Sequence, residues 1–268
     1  MYRNAIVTFL DVLGFRSLIK DDSAETINSI LEKMSKYAAP TADPDDDPYH
    51  PVATTFSDCV IRMSFTDSEA NLEYQIGLLF YELLALVHAQ SELIDNDVVV
   101  RGGVAFGDIF YQDQRVFGPA MVDAYELESK KAIFPRIVIS PKWMEVLKSD
   151  RLMRSKSHTL KEELKYIHKL IRQDGDGLYF IDYIRAIQSE LDDPEAGYIL
   201  FLERHSSLIK RNLDKHAGQE RVLDKYKWLS RYHDERINEL DEDFLRCYGS
   251  SKKSLLTGGV VDKIRYRT

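Results

Sequence analysis

The chain has 268 residues and a formal net charge of −8, with 44% hydrophobic and 11% aromatic residues. That is enough apolar surface for one large domain, or a domain with an extension, and it excludes global disorder. The acidic balance and the lack of a long basic run argue against nucleic-acid binding, so an acidic protein of this kind that handles a polyphosphate must neutralise it locally.

Residues 5–10, AIVTFL, are short, β-prone and almost wholly apolar, which predicts a strand covered on both faces. Asp11 follows directly, then Gly14 and a stretch in which Leu18, Ile19, Ile27, Ile30, Leu31 and Met34 recur at helical spacing. Residues 41–51, TADPDDDPYHP, carry three prolines and four aspartates and predict a loop. Residues 52–63 predict two short strands with Ser57 and Asp58 at the turn. Residues 69–93 have the periodicity of one long amphipathic helix, and residues 98–111, VVVRGGVAFGDIFY, predict a second hairpin. Residues 119–131 predict a helix opened by the Gly118-Pro119 pair, and residues 136–139 a further strand.

This order predicts an α+β sandwich with a mostly antiparallel sheet, related to the ferredoxin-like split βαβ. Beyond residue 140 the stretches 142–170, 195–214 and 220–245 are charged and amphipathic, with one more strand expected at 178–183. The expected division is therefore an α+β domain over 1–140 and a mainly helical extension over 141–268. Cys59 and Cys247 form no metal or disulfide pattern, which suits a reducing cytoplasm. The apolar stretches are too short to span a bilayer, and the first residues lack a signal peptide's charged region and cleavage site. A cytoplasmic protein without membrane or nucleic-acid partners is expected. The seven histidines show no metal spacing across facing elements.

Two aspartates carry the chemistry. Asp11 ends an apolar strand, where a carboxylate is costly unless it is paired or bound to a cation. The turn over residues 12–15 leads into a helix whose free N–H groups favour a phosphate. Asp58 lies at a second strand turn. Taken singly, an aspartate at a strand end is more often a helix cap or turn residue. Brought together, two carboxylates repel unless divalent cations lie between them, and two such cations suit phosphoryl chemistry.

FLDVLGF (9–15), FSD (56–58), RGGVAFGDIF (101–110) and VFGPAMVDAYELES (116–129) resemble, in order, the first and second metal motifs, the central hairpin and the Gly-started helix of class III adenylate and guanylate cyclases. The resemblance covers roughly residues 5–140. Within that superfamily the wording is most similar to the Pycsar pyrimidine cyclases of bacterial anti-phage defence. It implies a class III cyclase-like fold, conversion of UTP or CTP to cUMP or cCMP and pyrophosphate, and two Mg²⁺ or Mn²⁺ ions. It also implies a homodimer with active sites at the subunit interface, and a separate cyclic-nucleotide-sensing effector.

Carried over by position, Asp11 and Asp58 match the metal-binding aspartates, and Val12 the residue whose carbonyl also reaches a metal. Phe9, Leu13, Gly14 and Phe15 match the substrate-binding stretch, the last three as a phosphate-facing turn. Where adenylate cyclases read adenine with a Lys and an Asp, this chain has Thr54 and Arg115, which argues against ATP and leans to the O4 acceptor of uracil. The transition-state Asn and Arg are replaced by Val122 and Glu126. Arg16, Arg101 and Arg136 are the candidate cations in their stead, although Arg101 reads equally as a structural ion pair. Tyr49 and His50 are candidates for the edge of the base pocket, though a surface loop is the commoner role. The run 43–47 reads as a solvated loop, and Phe106, Phe110, Tyr111 and Phe117 as core or dimer contact. The alternatives are a cytidylate cyclase, a purine cyclase with unusual base contacts, and a catalytically inactive nucleotide-binding domain of the same fold.

Overall fold

The computed structural model describes residues 1–38 and 51–258. Tyr49, His50 and the acidic run 43–47 lie outside the described residues. The chain divides into two compact units, Met1–Ile187 and Gln188–Thr268.

The first unit is built on β1 (Arg3–Val12), where residues 5–10 are all buried, as an apolar strand flanked on both faces requires. Helices α1 (Phe15–Asp21) and α2 (Ala24–Ala38) follow. Then come β2 (Val52–Phe56) and β3 (Cys59–Phe65), which form the expected hairpin. The long helix expected next is two helices, α3 (Glu69–Tyr74) and α4 (Leu78–Asp95). The break falls at Gln75 and Gly77, both left-handed, a conformation that ends a helix and that periodicity does not register.

The hairpin expected over residues 98–111 is instead one continuous strand, β4 (Val100–Gln112). Its glycines do not turn the chain. A side chain at Gly102 would sit 2.7 Å from the Phe9 carbonyl oxygen, so this glycine serves close approach. The reversal comes at Asp113 and Gln114, both at positive φ, which lead into β5 (Arg115–Phe117). Next is α5 (Pro119–Glu126), with Pro119 in its first turn, and a π-helical turn, Leu127–Lys131.

The sheet continues past residue 140, where the change in composition suggested a boundary. β6 (Ile137–Ile139) pairs in parallel with β4. After α6 (Trp143–Ser149) and α7 (Leu160–Ile167) come β7 (Ile171–Gln173) and β8 (Tyr179–Ile181), and β8 pairs with both β6 and β7. α8 (Tyr183–Ala186) closes the unit. The eight-stranded sheet has the order β2-β3-β1-β4-β6-β8-β7, with β5 beside β4, and its pairings are antiparallel except for β4–β6. This is an α+β fold with a mostly antiparallel sheet.

Period-2 alternation gives the sheet two different faces. Ala5, Val7 and Phe9 pack with Met63, Ala105 and α5's Ala120 and Ala124. On the other face Thr8, Arg62 and Ser64 converge on Glu82 of α4. The second unit is helical as expected, with α9 (Ala196–Lys215), α10 (Glu220–Glu239), α11 (Glu242–Cys247) and α12 (Lys252–Leu255). Among the described residues no helix is long and apolar enough to cross a membrane.

Candidate functional site

Strand register brings the two aspartates together. Asp11 stands opposite Cys59 of β3 and opposite Arg101 of β4. The β2–β3 turn is closed by the Phe56–Cys59 pair, with Ser57 at φ 54° and Asp58 completing the two-residue loop. Asp58 is therefore the neighbour of Asp11's cross-strand partner. Donor atoms of Asp11, Asp58 and Cys59 all lie within 4.8 Å of one another, and the Cys59 thiol donates to Asp11 Oδ1 at 3.7 Å.

Two more groups complete the cluster. Arg101 donates through Nε and Nη2 to Asp11 Oδ2, each at 3.1 Å. Its Nη2 also lies 2.6 Å from Oε1 of Glu128, an ion-pair distance without hydrogen-bond geometry, so this buried oxygen has no hydrogen-bond partner. Burial pushes the Asp11 carboxyl up to about 6, reinforced by Asp58 and opposed by Arg101. Burial likewise lifts Glu128 to about 7, with Arg101 opposing and Asp11 adding to it. The Cys59 thiol is pushed up to about 12 by burial and by the charges of Asp11 and Asp58. Arg101 thus serves two carboxylates with a third, Asp58, beside them, and the cluster is short of positive charge.

Asp11, Asp58 and Arg101 of this cluster line a cleft of about 590 Å³. Val12, Gly14, Phe15, Arg16, Ile19, Lys20 and Ser57 supply the rest of the lining. Gly14 is left-handed at φ 80° and starts α1. The expected phosphate-facing turn is only partly open, because the Leu13 N–H donates to the Val99 carbonyl at 2.8 Å. The N–H groups of Phe15 and Arg16, at the start of α1, have no acceptor among the described residues.

The other expected residues are spread more widely. Phe9 is buried in the core, edge-on to Tyr125 at 5.6 Å, and does not line the cleft. Thr54 donates to Gln114 Oε1 at 3.0 Å, and the neighbouring Arg115 pairs with Asp113 on the surface. These two polar groups lie near one another through Gln114, outside the cleft walls. Of the three candidate cations, Arg16 lines the cleft, Arg101 is held between Asp11 and Glu128, and Arg136 is buried against Asp174 and Asp176. Val122 is exposed, and Glu126 pairs with Lys130 at 2.6 Å. Sequence reasoning missed Glu128. Its signal was an acid four and eight residues after Ala124 and Ala120, on the face of the helix that those two alanines bury.

The donor set fits a hard divalent cation. The carboxylate oxygens of Asp11 and Asp58 converge beside the Cys59 sulfur, close enough together to hold one ion between them. No protein-family model matches this chain, and no curated protein matches it.

Proposed function

We propose that this chain is a class III-type nucleotidyl cyclase that converts UTP to 3′,5′-cyclic UMP and pyrophosphate. The observation that carries the reading is the convergence of Asp11 and Asp58 in a cleft that Arg16 and Lys20 also line. The order β2-β3-β1-β4, antiparallel throughout, with α4 and α5 on opposite faces, agrees with the split βαβ core of such an enzyme.

Two divalent cations at Asp11 and Asp58, with the Val12 carbonyl as a further ligand, would supply activation of the ribose 3′-hydroxyl and neutralisation of the departing pyrophosphate. The chain's own part is positioning. Asp11 and Asp58 fix the reacting end. Arg16, Lys20 and the free N–H groups of Phe15 and Arg16 take the charge of the β- and γ-phosphates at the Gly14 turn. That arrangement aligns the 3′-oxygen with the α-phosphorus, so that the new bond forms in line as the bond to pyrophosphate breaks. In the homodimer this reading implies, Thr54 and Arg115, which lie outside the cleft of their own subunit, are the base-reading pair at the subunit interface, with Arg115 donating to uracil O4. The same reading makes the enzyme a cytoplasmic homodimer that supplies a second messenger to a separate effector in anti-phage defence.

A second reading rests on Val122 and Glu126, which stand where cyclases carry transition-state Asn and Arg: a nucleotide-binding domain without turnover. Incubation of the purified chain with ATP, GTP, CTP or UTP, each with Mn²⁺ or Mg²⁺, and mass spectrometry of the products separates the two. Cyclic UMP that disappears in Asp58→Ala is the expected result. CTP as the better substrate replaces uridylate with cytidylate cyclase. Metal-dependent UTP binding by folded protein without any cyclic product leaves the binding domain.

A further inference from the structure

The π-helical turn Leu127–Lys131 is an interruption of a kind found often at functional sites. Glu128 lies within it and continues the buried face of Ala120 and Ala124, with only 2% of the residue exposed. The turn rests on Gly103. A side chain there would meet the Ala124 carbonyl, Leu127 Cβ at 2.5 Å and the Glu128 N–H at 2.9 Å. Gly103 and Arg101 are two apart on β4 and face the same way. The RGG segment therefore has one design: Arg101 reaches toward Asp11, and Gly103 lets the turn bring a second carboxylate to the same guanidinium.

Arg101 consequently has two partners. Nε and Nη2 occupy Asp11 Oδ2, while Nη2 also faces Glu128 Oε1 at 2.6 Å. A cation between Asp11 and Asp58 draws on the same Asp11 carboxylate that Arg101 holds. Building on the two-cation reading above, we propose that Arg101 and Glu128 are positioning residues that set the cation affinity of the site. Arg101 competes with the cation for Asp11, and Glu128 draws Arg101 away from it. A guanidinium that had only Asp11 as partner would hold it against metal entry. One with a buried alternative yields Asp11 without being left unpaired.

The test is direct Mn²⁺ binding to the full chain without nucleotide, followed by the loss of free Mn²⁺ resonance signal, with thermal melting as a check on folding. Glu128→Gln is expected to weaken Mn²⁺ binding about 10-fold, Arg101→Gln to tighten it about 10-fold, and Glu128→Asp to stay within about threefold of wild type. Opposite signs are the signature, because a merely structural pair would weaken binding on removal of either partner. Equal weakening, or no change beyond about twofold in either variant while Asp58→Asn abolishes binding, overturns this proposal and leaves the acid pair a metal site. Absence of Mn²⁺ binding in the wild type overturns both.

Discussion

Two arginine–carboxylate networks lie on opposite faces of the same strands, and they differ in how complete they are. Beneath the sheet, Arg62 and Glu82 are each only 2% exposed at the side chain and fully matched. Glu82 accepts from Thr8, Ser64 and two nitrogens of Arg62, whose remaining Nη1 donates to the Ala38 carbonyl. At the strand ends, Arg101 must serve both Asp11 and Glu128, with Asp58 alongside. The first network is closed by the protein itself and acts as a structural tie. The second has more carboxylate than cation and is open on a cleft, which is the expected state of a site completed by a ligand.

The largest effect that tests this contrast is on turnover. Asp11→Ala and Asp58→Ala are each expected to reduce cyclic-product formation by about 10³-fold or more, since each would remove a ligand of the proposed metal site. Their melting temperatures are expected to hold or rise, because the repulsion between crowded carboxylates falls. Wild-type turnover in either variant would sink the two-metal assignment.

Next comes stability. Arg62→Ala leaves Glu82 buried and unpaired, at a cost of about 3–5 kcal/mol. In a unit of this size that corresponds to a melting drop of roughly 10 °C, read by calorimetry. A drop as large for Arg101→Gln would erase the distinction between the networks. Gly103→Ala falls between the two classes, because its methyl pushes the Glu128 turn off β4. It is expected to cost about 1–3 kcal/mol and to weaken Mn²⁺ binding together with Glu128→Gln. Unchanged metal affinity in this variant would separate the turn from the site.

A smaller effect is on pH. Asp11 and Glu128 have folded-state values raised to about 6 and about 7. Between about pH 4 and 7 the metal-free native state therefore binds more protons than the unfolded chain, and stability falls as pH rises. In the helical unit the buried His205–His233 pair acts in the opposite sense. Burial lowers both histidines, His233 to about 4, so their contribution is lost as pH falls below about 6. The useful measurement is thus the difference in melting temperature between wild type and Glu128→Gln across pH 5 to 8. That difference is expected to favour Glu128→Gln increasingly toward pH 8. A flat difference would remove Glu128 from the strained cluster. The smallest effect belongs to Arg115, whose pair with Asp113 is mostly solvent-exposed. Arg115→Ala is expected to change stability by less than about 0.5 kcal/mol while lowering the preference for UTP over CTP in a competition assay.

The fold and the site were legible in the sequence to different depths. AIVTFL announced a doubly covered strand because near-continuous apolarity has few other uses. The Ser57-Asp58 turn was legible because two strand patterns flank it. The second hairpin was misplaced because Gly102 and Gly103 carry the same letters as turn glycines while serving close approach. The helix break at Gln75 was hidden because nothing in that residue type demands a left-handed conformation.

By itself the sequence determined an α+β chain with two aspartates at strand ends, since apolar periodicity and strand-end acids are local properties. Tertiary structure alone decided which charges meet. Arg101 and Glu128 are neighbours only because Gly103 lets a π-turn settle on β4, and Asp11 meets Arg101 only through the β1–β4 register. Such meetings depend on backbone approach to within a few tenths of an ångström and on strand pairing across ninety residues of chain, from Asp11 to Arg101. Neither leaves a periodic trace in the order of the residues.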